Sequence, residues 1–111
     1  MELTETFLIF PEKPDKLIVN ATPVFNTVSL TWSVTYDGNS PITAFSVTHR
    51  DKAGRVRMYS VTPEQGNKLR INGLALKVKH FFTVEAENQV GKSEPATAAV
   101  TLVSSGNLLL F

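Results

Sequence analysis

Leu74-Ala-Leu-Lys-Val-Lys-His-Phe-Phe-Thr-Val-Glu-Ala-Glu-Asn-Gln-Val-Gly-Lys-Ser93 is the stretch whose reading decides the fold. Val78, His80, Phe82, Val84 and Ala86 recur at every second position, with Lys79, Phe81, Thr83, Glu85 and Glu87 between them. A period of two places the first set on one face of a strand and the mostly polar set on the other. A helix would scatter the same residues around its axis. The run then breaks at Asn88-Gln-Val-Gly91, where asparagine and glycine tolerate the left-handed backbone of a tight turn. It reads as a central strand that leads into a short hairpin.

Working outward, Val28, Leu30, Trp32 and Val34 alternate with Ser29, Thr31, Ser33 and Thr35, a strand with one apolar and one hydroxylated face. Trp32, the only tryptophan, stands near the middle of the apolar face and is expected in the core. Before it, Leu17–Thr22 reads as a short strand. After it, Asp37-Gly-Asn-Ser-Pro41 is a loop, and Ile42, Phe45 and Val47 mark a third strand that runs to His49 and Arg50. Asp51–Gly54 is a hairpin turn, Val56–Val61 a fourth strand and Thr62–Asn67 another loop. Leu69 and Ile71 alternate with Lys68 and Arg70 in a fifth strand, and Ala96–Val103 completes a seventh. Short strands at regular spacing, with turn formers between them, predict an all-β, seven-stranded antiparallel sandwich.

A chain of 111 residues has room for one domain with its own core. The 42% apolar and 19% charged residues are those of a globular protein. There is no cysteine, so neither a disulfide framework nor a thiolate metal site is available. The net charge of +1 gives no general reason to expect nucleic acid or an anionic membrane as partner. No apolar run approaches the ~20 residues of a membrane span, and the acidic start Met1–Thr6 is unlike a signal peptide. The charge is unevenly spread: residues 1–49 balance to −3, residues 50–80 to +6 and residues 81–111 to −2.

Residues 1–13 read as a tail or the end of a preceding domain plus a linker, because Phe7–Phe10 is followed by Pro11 and Pro14. Residues 14–103 form the domain, and 104–111 a second tail that ends in Leu108–Phe111. Both apolar ends offer a route to self-association.

No catalytic constellation assembles. Nucleophilic catalysis needs a nucleophile, a base and an orienting group. The only histidines are His49 and His80, and Glu85 with Glu87 reads as a solvated strand face. No metal-ligand cluster and no glycine-rich phosphate loop is present, so no cofactor is expected. Two surfaces remain as binding candidates. One is the hairpin Asn88, Gln89, Val90, Gly91 and Lys92. The other is the basic set Arg50, Lys52, Arg55, Arg57, Lys68 and Arg70, suited to an acidic protein surface or a sulfated polysaccharide. Asn20-Ala-Thr22 is an N-glycosylation acceptor by pattern, followed at once by Pro23.

Over about residues 14–103 the chain resembles a fibronectin type III domain. Pro14 opens it, Trp32 stands in the second strand, and Phe45 with Val47 occupy the family's Tyr-x-Val positions. Leu74 precedes the sixth strand, followed at spacing two by Phe82, Val84, Ala86 and Asn88, and then by Gly91, Ser93 and Pro95. Two positions depart from the pattern. Leu76 replaces a proline, and His80 stands where the family has a tyrosine whose hydroxyl bonds the backbone near the preceding turn. His80 is therefore expected to be a buried structural substitute. The resemblance implies a Greek-key sandwich and a non-catalytic interaction or spacer module with protein partners, in a multidomain cell-surface adhesion or receptor protein. It leaves open an intracellular muscle-type array and an accessory domain of a microbial polysaccharide-degrading enzyme. The loop that carries Arg-Gly-Asp in integrin-binding members lacks that tripeptide here, so integrin recognition through it is not implied.

Overall fold

The computed structural model describes residues 7–22 and 26–103. Seven strands form: β1 (Asp15–Thr22), β2 (Thr27–Ser33), β3 (Ala44–Asp51), β4 (Val56–Val61), β5 (Lys68–Ile71), β6 (Lys79–Glu87) and β7 (Ala96–Thr101). A 3-10 turn, Pro63–Gln65, bridges β4 and β5. The strands pair antiparallel in two sheets, a three-stranded one in the order β1-β2-β5 and a four-stranded one in the order β4-β3-β6-β7.

The period of two in the sequence becomes the packing of the interior. Val28, Leu30 and Trp32 from β2 face Phe45 and Val47 from β3 and Phe82, Val84 and Ala86 from β6, all buried. Leu74 and Leu102 close the end of the core where β6 begins. The Trp32 and Phe45 rings meet edge to face, their centroids 5.3 Å apart. That contact joins the two sheets, and truncating so large a buried ring typically costs about 3–5 kcal/mol. The indole Nε1 finds no hydrogen-bond partner among the described residues.

Boundaries shift where backbone geometry overrides the side-chain pattern. β2 stops at Ser33, with Val34 half-buried beyond it, and β3 begins at Ala44, two residues after Ile42. β1 begins at Asp15 rather than Leu17 and carries a bulge between Asp15 and Ile18, where Lys16 adopts φ 53°. β7 ends at Thr101, although Leu102 just beyond it is 1% exposed. Residues 1–6 and 104–111, which include Leu108–Phe111, lie outside the described residues.

The chain comes in at one pole of the sandwich and leaves at the other. Asp15 pairs with Ser33, beside the β2–β3 loop, whereas Thr101 pairs with Lys79 at the far end of β6. Nine residues of β6 separate the poles, about 30 Å at the usual strand rise.

Candidate functional site

Three places on the molecule carry chemistry worth following: a buried histidine pair, the loop pole that holds the incoming chain, and the basic residues.

His80 is 1% exposed, at the start of β6 on its inward face. Its Nε2 lies 2.8 Å from the carbonyl oxygen of Ala75, five residues earlier. A carbonyl can only accept, so neutral His80 carries its proton on Nε2 and presents Nδ1 as an acceptor. That Nδ1 lies 2.9 Å from Nε2 of His49, which must then be the donor. The imidazole thus bonds the backbone at the corner before β6, with a second histidine behind it. His49 faces inward from β3 because it continues the alternation of Phe45 and Val47. Its ring stacks on Phe82, with centroids 5.0 Å apart and 18° between planes.

Charge around the pair is mixed. Burial pushes the pKa of His49 below its ordinary value, the neighbouring His80 and Arg57 push the same way, and Asp51 opposes them. The Asp51 carboxyl sits below the usual carboxylate range, chiefly because the Arg55 backbone N–H donates to it at 3.0 Å. Burial opposes that shift, while the Ala53 and Gly54 backbone N–H groups and the Arg55 charge support it. A depression of about 40 Å³ beside the pair is lined by Arg55, Arg57, Asn72 and Ala75. Among the described residues no three His, Asp or Glu side chains gather as metal ligands.

The hairpin after β6 is occupied by the chain itself. Asn88 Oδ1 accepts from the backbone N–H groups of Val90 and Gly91, which shapes the turn. Its Nδ2 donates to the carbonyls of Ile9 and Asp37, 2.8 Å from each, so one carboxamide ties the β6–β7 hairpin, the β2–β3 loop and the incoming segment together. Ile9 N–H donates to Gly38 O and Glu12 N–H to Tyr36 O, each at 3.0 Å. Two glycines make the seat possible. A Cβ on Gly38, already at φ +80°, would collide with the Ile9 carbonyl, and one on Gly91 would come within 2.6 Å of the Phe10 ring. The sequence marks Asn88 and Gly91 as turn formers. Their second task, receiving residues 7–12, has no local signal beyond the glycines. Gln89, Val90 and Lys92 remain at least partly exposed.

The six basic residues occupy four different places. Arg55 and Arg57 flank the histidine depression, and Arg57 pairs with His49 across β3 and β4. Lys68 and Arg70 lie against Ser29 and Thr31 on the three-stranded sheet. Arg50 lies on the outer face of the four-stranded sheet with its guanidinium 5.8 Å from the centre of the Phe81 ring, and Lys52 sits in the exposed turn after β3. Asn20 is exposed on β1, an edge strand.

Comparison with known proteins places this arrangement. The chain is 30% identical over 96 residues to mouse protein sidekick-1, covering 84% of this chain and 4% of the relative. It is 31% identical over 99 residues to human Brother of CDO (86% and 9%) and 32% over 74 residues to the human cell adhesion molecule DSCAM (63% and 4%). The chain therefore spans less than a tenth of the length of these curated relatives. Among solved structures, the twitchin kinase region of C. elegans superposes with a TM-score of 0.71 at 25% identity, over 87% of this chain and 17% of that one. A human collagen XX FN3 domain superposes at 0.68 with 17% identity, over 90% and 99%. The family model for the fibronectin type III domain matches residues 12–102. By that match, and by a sandwich whose corner, core and loop pole fit it, the chain belongs to the fibronectin type III domain family.

Proposed function

We propose that the chain is a non-catalytic interaction and spacer module of a multidomain cell-adhesion or receptor protein and makes protein–protein contacts. The observation that carries this reading is the polarity of the chain path. The incoming segment is bonded to one pole through Ile9, Glu12 and Asn88, and β7 delivers the chain to the opposite pole. Modules connected in that way stack in series at a set spacing, which suits a protein that holds contacts away from a surface. The names of the relatives agree, since DSCAM and the rat neuronal cell adhesion molecule are called adhesion molecules. Nothing gathered at the histidine pair asks for catalysis, because both rings are committed to holding the corner.

A second reading, a spacer in an intracellular array, has the twitchin likeness in its favour. Labelling of intact cells that make the full-length protein with a membrane-impermeant amine reagent separates the two. The adhesion reading predicts labelling of this domain, and a glycosidase-sensitive mass at Asn20 would add to it. Labelling only after the cells are lysed would overturn it in favour of the array.

A further inference from the structure

The outer face of the four-stranded sheet has its own charge pattern. Along β6 the outward residues run Lys79, Phe81, Thr83, Glu85 and Glu87, so one end is cationic and the other anionic. Arg50 on β3 pairs with Phe81 and joins Lys79 at the cationic end, both cations lying within 6 Å of the Phe81 ring centre. Between the ends runs an uncharged row straight across the sheet, Met58–Thr48–Thr83–Thr97, in register through all four strands. Met58 is 70% exposed. Among the described residues no ion pair holds Glu85 or Glu87, although Lys92 stands opposite Glu87 across an isolated antiparallel bridge.

We propose that this face binds the same face of a second copy of the chain, about a two-fold axis lying along the Met58–Thr97 row. The geometry selects that axis. Two sheets can meet face to face only if the axis lies in the plane between them. An axis along the strands would set Lys79 against Lys79 and Glu87 against Glu87. An axis across the strands reverses strand direction, so Lys79 of one copy meets Glu87 of the other. Arg50 then lands over Ser46 of the other copy, whose neighbour across β3 and β6 is Glu85. Each threonine of the central row packs on its own counterpart, where hydroxyls pair without leaving a charge buried. In this orientation the Lys79 end of each copy meets the Glu87 end of the other, and Phe81 lies over Glu85.

The area sets the strength. Four strands about 4.8 Å apart and roughly eight residues long cover about 500 Å² per copy, so about 1,000 Å² is buried in total. That is the lower limit for a specific interface and places the contact among the weak, transient ones. Such a contact acts where copies are held close together, as on apposed or crowded surfaces. It deepens the reading of the chain as a protein-binding module and rests on it.

The test is sedimentation equilibrium of the 111-residue chain from about 10 µM to 2 mM in about 50 mM salt, beside Lys79→Glu and Glu87→Lys. Both positions lie on the outer face, so each variant is expected to keep the wild-type melting curve. Wild type is expected to dimerise, less so at about 500 mM salt, and each variant alone to be weakened about tenfold or more. Mixing the two variants restores dimerisation. At one of the two symmetry-related contacts the introduced acid meets the introduced base, and at the other the unaltered Glu87 of the first variant meets the unaltered Lys79 of the second. A wild-type chain that stays monomeric at the highest concentration overturns the proposal, while the adhesion reading stands or falls separately on surface labelling. Dimerisation indifferent to both reversals overturns it too, and points to another surface such as the exposed Phe7–Phe10 run.

Discussion

Replacing His80 with phenylalanine keeps a flat ring of similar size at the corner and removes both of its hydrogen bonds. His49 Nε2–H loses its acceptor at 2.9 Å in a site where His49 is only 6% exposed, and a buried donor left unmade costs about 1–3 kcal/mol. The Ala75 carbonyl loses its donor at 2.8 Å, but Ala75 is exposed and water can take over much of that bond, so about 0.5–1 kcal/mol is added. Relief from burying a polar ring gives back a fraction of this. The net expectation is a loss of about 2–3 kcal/mol at neutral pH, read by urea unfolding, with a melting temperature lower by about 10–20 °C. The double variant His49→Phe/His80→Phe leaves no stranded nitrogen between the two positions. It should therefore be less destabilised than the sum of the single variants, by about 1–2 kcal/mol. A His80→Phe protein within about 0.5 kcal/mol of wild type, or strictly additive effects, would refute the hydrogen-bonded chain from His49 through His80 to Ala75.

Two further outcomes follow from the same geometry. His49 has a lowered pKa, so the unfolded chain binds a proton more readily than the folded one. Stability should be level above pH ~6.5 and fall as the pH drops below it, by no more than about 1.4 kcal/mol per pH unit for this one group. Depression of the Asp51 pKa acts separately, in the more acid range below its unfolded value of about 4. Urea titrations at about pH 8, 6.5 and 5 should lose their pH dependence in His49→Phe, and a wild-type curve flat over that range would contradict the assignment. At the other pole, Gly38→Ala should unseat residues 7–12, because the new methyl meets the Ile9 carbonyl and φ +80° strains any side chain. Hydrogen exchange at the Ile9 and Glu12 amides should then speed up by about tenfold or more, while the amides of β6 stay protected.

The alternation in β2 and β6 was enough to read the two sheets, because a half-buried antiparallel strand writes its burial directly into every second residue. Trp32 and Phe82 could be placed in the core from that pattern alone. The corner role of His80 came from the family's tyrosine position and could not be read from its neighbours. The partnership with His49 was out of reach, since it depends on the register that sets Asp51 opposite His80 and His49 opposite Phe82. No local feature encodes a pairing between residues thirty-one apart. The same holds for the seat of residues 7–12, where Asn88 bonds a carbonyl seventy-nine residues away. Sequence grouped six basic residues because the fourth and fifth strands were expected to flank one edge of the sandwich; those strands are edge strands of the two sheets, while Arg50 lies on the outer face of the four-stranded sheet. The self-complementary outer face emerges only when the strands are set side by side.

The account rests most on the claim that the chain contributes contacts between proteins rather than chemistry. The most direct measurement is aggregation of cells that display the full-length protein, compared with cells in which residues 12–102 are replaced by an unrelated sandwich domain of equal length. The account predicts that adhesion falls while surface display is unchanged. Unaltered adhesion with the replacement in place would contradict it, because the domain would then be contributing length alone.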